Sequence, residues 1–81
     1  MAKNECYVLY RTNHVKEISI SVYKEKINCY NRMYKEIAEE ADDLSASGYL
    51  YQTESDISGG KVTANNKQIY YQWNVYASVL N

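Results

Sequence analysis

Residues 20–44 decide the fold, and they read ISVYKEKINCYNRMYKEIAEEADDL. Apolar and tyrosine side chains recur along this stretch at alternating spacings of three and four residues, which places them on one face of an α-helix. The stripe consists of Ile20, Tyr23, Ile27, Tyr30, Tyr34, Ile37, Ala41 and Leu44. The pattern predicts an amphipathic helix over about residues 22–46. It begins near Ser21 and ends before Gly48, a residue suited to the left-handed position after a helix.

Two strand patterns precede the helix. Residues 6–11 are mostly β-branched or aromatic and contain no breaker, which is typical of a strand buried on both faces. After a polar turn, Ile18, Ile20 and Val22 alternate with polar residues, which predicts a second strand that leads into the helix. Strand and helix patterns compete for these last positions, and we place the boundary at Ser21.

Three further strand patterns follow the helix. They cover residues 49–55, 61–64 and 67–79, and they are separated by a loop with two glycines and by an Asn-Asn pair suited to a tight hairpin turn. In the last pattern alternate residues point to opposite faces, and the side of Trp73 is predicted to be the core side. The core side holds Ile69, Tyr71, Trp73, Val75, Ala77 and Val79, and the other side holds Tyr70, Gln72, Asn74, Tyr76 and Ser78.

Together these patterns predict an α+β fold with the order β-β-α-β-β-β. It is a two-layer sandwich in which one helix packs on an antiparallel sheet of four to five strands. A chain of 81 residues is the size of a single domain, here residues 1–81, and 46% apolar residues suffice for a thin core. Cys6 in a predicted strand and Cys29 in the predicted helix indicate reduced thiols and not a disulfide framework.

Composition also bears on location and origin. No run reaches the roughly 18 apolar residues of a membrane span, and residues 1–5 lack the layout of a signal peptide. The sequence therefore predicts a soluble cytoplasmic protein that does not bind a membrane. Ten tyrosines, eight asparagines and seven lysines against two arginines reflect A/T-rich codons. We expect a gene of an A/T-rich bacterium, or of a phage or mobile element that enters such a cell.

The sequence predicts no catalytic, metal or cofactor site. Catalysis by side chains needs a base or nucleophile beside a partner, and the one histidine, His14, falls in a predicted turn. Cys6, Cys29 and His14 occur singly, without the spacing of metal ligands. Residues 58–61, SGGK, lack the full pattern of a phosphate-binding loop and precede a strand, not a helix. We therefore predict that the protein is not an enzyme.

Tyrosines form the first candidate binding surface. The tyrosines of the helix stripe are assigned to the core, whereas Tyr70 and Tyr76 lie on the sheet face opposite Trp73. Tyr49 and Tyr51 share a face with each other and are expected to join that patch. Polar residues interleave with these tyrosines, namely Thr53, Gln72 and Asn74. Such patches are common at protein interfaces and on platforms for single-stranded nucleic acid. The alternative is that these tyrosines are half-buried or cover a dimer contact.

Acidic residues on the helix form the second candidate surface, which we call the acidic ridge. It consists of Glu36, Glu39, Glu40, Asp42 and Asp43. These residues lie toward the end of the helix and the cations lie earlier, which opposes the helix macrodipole by about 0.3–1 kcal/mol for each terminal charge. Several are like-charge pairs three or four residues apart, relieved only by Arg32 and Lys35. The alternative is an ordinary solvated helix face.

These two surfaces lead to the hypothesis of a non-catalytic protein-binding domain. An acidic ridge suits a partner with a basic surface, and large basic grooves occur mostly in proteins that handle nucleic acid, such as nucleases and defence effectors. In size and strategy the chain resembles small phage-encoded inhibitors, anti-CRISPR proteins among them, which implies an anti-defence inhibitor. Two alternatives stay open. One is a single-stranded nucleic-acid-binding domain, disfavoured by the net charge of −1, and the other is a structural homodimer.

Overall fold

The computed structural model describes residues 5–79 and contains five strands and one helix in the predicted order. The elements are β1 (Glu5–Asn13), β2 (Ile18–Tyr23), α1 (Lys26–Ala46), β3 (Tyr51–Asp56), β4 (Gly59–Ala64) and β5 (Ile69–Val79). The α+β prediction of one helix packed on an antiparallel sheet is confirmed. Residues 1–4 and 80–81 of the predicted single domain lie outside the described range.

The strands form one antiparallel sheet in the order β2-β1-β5-β4-β3. The first and last strands are therefore neighbours near the centre, where Glu5 pairs with Val79 and Asn13 with Tyr71. β2 and β3 are the two edges. The helix packs against one face of this sheet, and its contacts reach all five strands.

The start of the helix was predicted wrongly. Residues 18–23 belong to β2, where they pair with residues 7–12 of β1, and the helix begins only at Lys26. Ser21 is thus a strand residue and not a helix cap. The position before the helix is taken by Glu25, whose side chain makes no capping hydrogen bond within the described residues. Pairing with β1 satisfies the backbone of these β-branched residues, and it overrides the weaker local helix pattern.

The end of the helix agrees with the prediction. The last helical residue is Ala46, and Gly48 adopts a φ of +84°, the left-handed conformation that glycine accepts without steric cost. The amide of Tyr49 donates to the carbonyl of Leu44 at 2.9 Å, and the amide of Gly48 donates to that of Ser45 at 3.0 Å. This pair of bonds is a Schellman motif, which satisfies two of the carbonyls that a helix end leaves unpaired.

The buried stripe of the helix differs from the predicted one. Ile27 and Tyr34 are exposed, and Cys29 and Met33 take their places in the core. The predicted stripe was wrong here because Ile20 and Tyr23, which are strand residues, were used to set its phase. The buried helix residues are Cys29, Met33, Ile37, Ala41 and Leu44.

The sheet contributes the other half of the core from the face that carries Trp73, as predicted, but Ala77 and Val79 at the end of this face are exposed. Trp73 is only 1% exposed, and Leu9, Val62 and Ala64 are buried beside it. Gly60 allows the helix to approach β4, because a Cβ atom there would lie 2.6 Å from Cδ1 of Ile37. Cys6 and Cys29 are both buried, and both are free thiols.

Candidate interaction surfaces

The acidic ridge is divided by the structure into two parts. Glu36 and Glu40 turn toward the sheet and are mostly buried, and both approach Arg11 of β1. Arg11 donates from Nη2 to Oε1 of Glu40 at 2.7 Å, and its Nη1 lies 3.8 Å from Oε1 of Glu36. These two carboxylates are therefore held inside the molecule. The prediction that the whole ridge is an outward surface is wrong for Glu36 and Glu40.

Arg11 and Glu36 tie this cluster to the aromatic core. The indole nitrogen of Trp73 donates to Oε1 of Glu36 at 3.0 Å, and Arg32 donates to its other oxygen at 3.0 Å. The guanidinium carbon of Arg11 lies 5.4 Å from the centre of the Trp73 ring and 5.6 Å from that of Tyr71. Cation–π attraction and charge-assisted hydrogen bonds thus act together. The like-charge crowding on the helix is offset by a cation from the sheet.

The same cluster affects the ionisation of Tyr71. Burial raises the pKa of the Tyr71 hydroxyl above its usual value, and the carboxylate of Glu40 raises it further. The positive charge of Arg11 acts in the opposite direction, to lower this pKa. Tyr71 therefore stays neutral over the physiological range of pH, and it serves the core as a hydrogen-bonding aromatic residue.

The remaining acidic residues face solvent, and we call Glu39, Asp42 and Asp43 the outer ridge. Glu39 pairs with Lys35 at 4.0 Å, but both side chains are more than half exposed, so this pair contributes little. Within the described helix no basic residue lies in the last turn. The outer ridge therefore keeps the unfavourable interaction with the helix dipole that the sequence indicated.

The four candidate tyrosines do not form one patch. Tyr70 and Tyr76 lie on the sheet face away from the helix, as predicted. Tyr51 pairs with Ala64, a core residue, and therefore points to the helix side. Tyr49 precedes β3 and belongs to no strand. The prediction that Tyr49 and Tyr51 join the patch is thus wrong.

The polar residues predicted to interleave with these tyrosines also divide between the two faces. Thr53 pairs with the buried Val62 and lies on the helix side of the sheet, whereas Gln72 and Asn74 share the face of Tyr70 and Tyr76. Alternation within each strand was predicted well, but the register between strands decides which faces coincide.

Tyr70 and Tyr76 are also far apart on their shared face. They are six residues apart in β5, which at roughly 3.3 Å per residue places them about 20 Å apart. Tyr70 is half-buried, and its ring lies against that of His14 with 6.3 Å between the centroids. Tyr76 is 54% exposed. A continuous aromatic platform is therefore not formed by this pair.

A surface that the sequence interpretation missed lies on the uncovered side of the sheet. Ile18, Ile20 and Val22 of β2 point away from the helix and are 62%, 62% and 59% exposed. They stand in register with side chains of β1 and β5, and together these form three cross-strand rows that we call the open face. The rows are Val22–Val8–Tyr76, Ile20–Tyr10–Asn74 and Ile18–Thr12–Gln72.

The open face is neutral. None of these nine described residues is charged, but the row of Gln72 continues directly into Lys61 of β4, which in turn stands beside Glu54 of β3. The expected burial of β1 on both sides holds on this side for Cys6, which is 3% exposed, but not for Val8 and Tyr10, which are only half-buried. The open face thus combines exposed aliphatic side chains, two tyrosines and uncharged polar groups.

One sequence signal pointed to this surface. The alternation of Ile18, Ile20 and Val22 with serines indicates a strand, but Ile20 also fits the periodic stripe of the helix. In the structure Ser21 pairs with Leu9 on the helix side, so the apolar side of β2 is the outer one. β2 is also an edge strand. Proline and charged residues commonly protect the edges of sheets against pairing with other chains, and β2 contains neither.

The described residues were also searched for metal sites and membrane helices, and the chain was compared with known proteins. In residues 5–79, no three or more His, Cys, Asp or Glu side chains are grouped to hold a metal ion. The part of the chain that the structure describes also has no helix with the length and apolar character to cross a membrane. Comparison with models of protein families, with curated proteins and with solved structures finds no match.

Proposed function

We propose that this protein is a non-catalytic protein-binding domain whose contact surface is the open face. The observation that carries the proposal is the exposure of Ile18, Ile20 and Val22 side by side on a sheet face that no helix or strand of residues 5–79 covers. Single exposed apolar residues are ordinary, but contiguous apolar patches on small proteins mark interaction sites. Burial of each such aliphatic side chain stabilises a complex by up to roughly 1.5–3 kcal/mol.

The chemistry of the face favours a partner with an apolar, uncharged surface. Depletion of charge is the feature that distinguishes the centre of a protein interface from the rest of a surface. Tyr10 and Tyr76 add the aromatic character that is enriched at such interfaces, and Thr12, Gln72 and Asn74 offer hydrogen-bonding groups. The open face suits an apolar protein surface better than it suits a basic groove.

As a second candidate function, we propose that the outer ridge alone binds a nuclease or a defence effector and inhibits it. Three exposed carboxylates at the end of a helix would attract a basic surface on a nuclease or defence effector. This role is that of a phage or mobile-element inhibitor of the anti-CRISPR or another anti-defence type, which acts in the bacterial cytoplasm. Because Glu36 and Glu40 pair with Arg11, fewer carboxylates remain for a basic partner, and this second proposal has less support than the one for the open face.

Binding of single-stranded nucleic acid has less support. Stacking of bases needs exposed aromatic rings together with cations that neutralise the phosphates. The three rows of the open face contain tyrosines but no cation. Two lysines, Lys61 and Lys67, line a surface recess beside the half-buried Tyr70 and the open-face residue Gln72. Under this alternative a labelled oligonucleotide binds at low salt and Tyr70→Ala removes the binding. We expect no binding.

Site-specific photo-crosslinking tests the main proposal. A photo-crosslinking amino acid replaces Ile20 on the open face or, as a matched control, Ile27 on the helix, which is 63% exposed against 62% for Ile20. After irradiation in the cells that make the protein, we expect one discrete adduct from position 20 and none from position 27. Equal adducts from both positions, or none from position 20, would contradict the proposal.

A further inference from the structure

We infer, building on the proposed function, that the partner which covers the open face is a second copy of this chain. In the resulting two-fold symmetric dimer, the open face of one copy packs on the open face of the other. Ile18, Ile20 and Val22 of each copy are buried at the contact. Three observations carry the inference: the total surface of the chain, the neutrality of the face and the direction of its exposed side chains.

The surface of the chain exceeds that of a compact monomer by about one half-interface. The accessible area is 5890 Å² for a mass of 9.4 kDa. A compact monomeric protein of this mass exposes roughly 5000 Å² by the usual scaling of surface with mass. The surplus of about 900 Å² is close to the roughly 800 Å² that each partner buries in an interface of standard size. Packing of a second copy on the open face would bury an area of this order on each chain.

The neutrality of the face makes it compatible with itself. In a two-fold interface the same patch occurs on both sides, so a charged residue near the axis meets its own like charge. The three rows of the open face contain no charged residue, and the net charge of the whole chain is only −1. Two copies can therefore approach without electrostatic repulsion at the contact. The outer ridge is like-charged and lies on the helix, on the opposite side of the sheet.

The direction of the side chains indicates contact through the face and not through the edge of the sheet. Ile18, Ile20 and Val22 stand on the face of β2 that is turned away from the helix. Pairing of β2 with β2 of another copy would extend the sheet to ten strands but would leave these side chains in water. Stacking of two open faces, about 10 Å apart as in β-sandwiches, buries them.

Sedimentation velocity at about 1–200 µM tests the inference, because interfaces of standard size span affinities from micromolar to picomolar. We expect the wild-type protein to be a dimer over all or the upper part of this range. Ile20→Glu should weaken the dimer at least about 100-fold, since symmetry places the change twice in one interface. Ile27→Glu is the matched control and should leave the affinity within about threefold, because a carboxylate is tolerated in the first turn of a helix.

Folding of each variant is verified by circular dichroism and by the fluorescence of Trp73. If Ile20→Glu does not fold, Ile18→Glu at the end of the same strand replaces it, with the same expected result. A wild-type protein that is monomeric at every concentration overturns the inference. So does a dimer that withstands the folded open-face variant, or one that Ile20→Glu and Ile27→Glu weaken equally.

Failure of the second-copy inference and failure of the proposed function give different results. An adduct of twice the chain's mass from the crosslinker at position 20, in purified protein at a concentration where the wild type sediments as a dimer, supports the second copy. An adduct with a different protein from the same position, together with a monomeric purified chain, overturns the second copy but retains the protein-binding domain. The absence of any adduct at position 20 overturns both.

Discussion

The two faces of the sheet are built from the same strands and differ in an unusual way. The covered face holds the charged cluster of Arg11, Glu36 and Glu40 beside its apolar core, whereas the open face on the other side has no charged residue in its three rows and is partly aliphatic. β2 shows the inversion most clearly, because its serines point to the helix side and its isoleucines to the outside. A sheet with one solvated face normally has the opposite arrangement. The outer face is therefore composed as a surface for burial.

The largest expected effect distinguishes the two faces within a single strand. Trp73→Ala removes the largest buried side chain and should destabilise the protein by about 3–5 kcal/mol, enough to unfold a domain of this size. Tyr76→Ala, on the outer face of the same strand, should cost less than about 1 kcal/mol when the chain is monomeric. Urea unfolding followed by circular dichroism measures both. Equal losses would mean that the faces do not differ in burial.

The second effect tests whether Arg11 holds the inner part of the acidic ridge. Arg11→Met keeps an apolar stem over Trp73 but leaves two mostly buried carboxylates without this cation, at an expected cost of about 1.5–3 kcal/mol. Arg32→Met is the control, since Arg32 also binds Glu36 but is half exposed, and it should cost about 0.3–0.5 kcal/mol. Urea midpoints compare the two variants. If Arg11→Met lowers the free energy of unfolding no more than Arg32→Met does, the carboxylates of Glu36 and Glu40 belong to the solvated surface.

The smallest effect concerns the outer ridge. Asp43→Lys places a cation in the last turn, four residues after Glu39, and should stabilise the protein by about 0.3–1 kcal/mol. Asp43→Asn, which only removes the charge, should give about half of that gain. Thermal unfolding at low salt measures the difference. A loss of stability with Asp43→Lys would show that the carboxylate has a structural role that its exposure does not indicate.

The parts of the fold that were predicted correctly depend on local patterns. Alternation of side chains identified β5 and its Trp73 face, and the glycine after the periodic stretch identified the end of the helix. The prediction of the helix start failed because Ile20 fits both the helical period and the alternation of β2, and only pairing with β1 decides between them. Local preference cannot resolve a segment that satisfies two patterns equally.

The candidate site was predicted less well because its geometry is set by residues far apart in the sequence. Arg11 and Glu40 are 29 positions apart, and no periodic pattern connects them. The face of Tyr51 depends on the register of β3 against β4, which the sequence does not specify. The open face follows from the same cause, since the direction of Ile18, Ile20 and Val22 is fixed by their partners in β1.

The central pairing of β1 with β5 also governs how this chain reaches its folded state. The paired residues are 58 to 74 positions apart in sequence, so the middle of the sheet cannot close until the last strand has been synthesised. Contacts of such long range slow folding, because a large loop must be closed before they form. Until then the β1–β2 hairpin exposes apolar side chains on both faces. Pairing of β5 with β1 is therefore the step that ends the exposure of these side chains to aggregation.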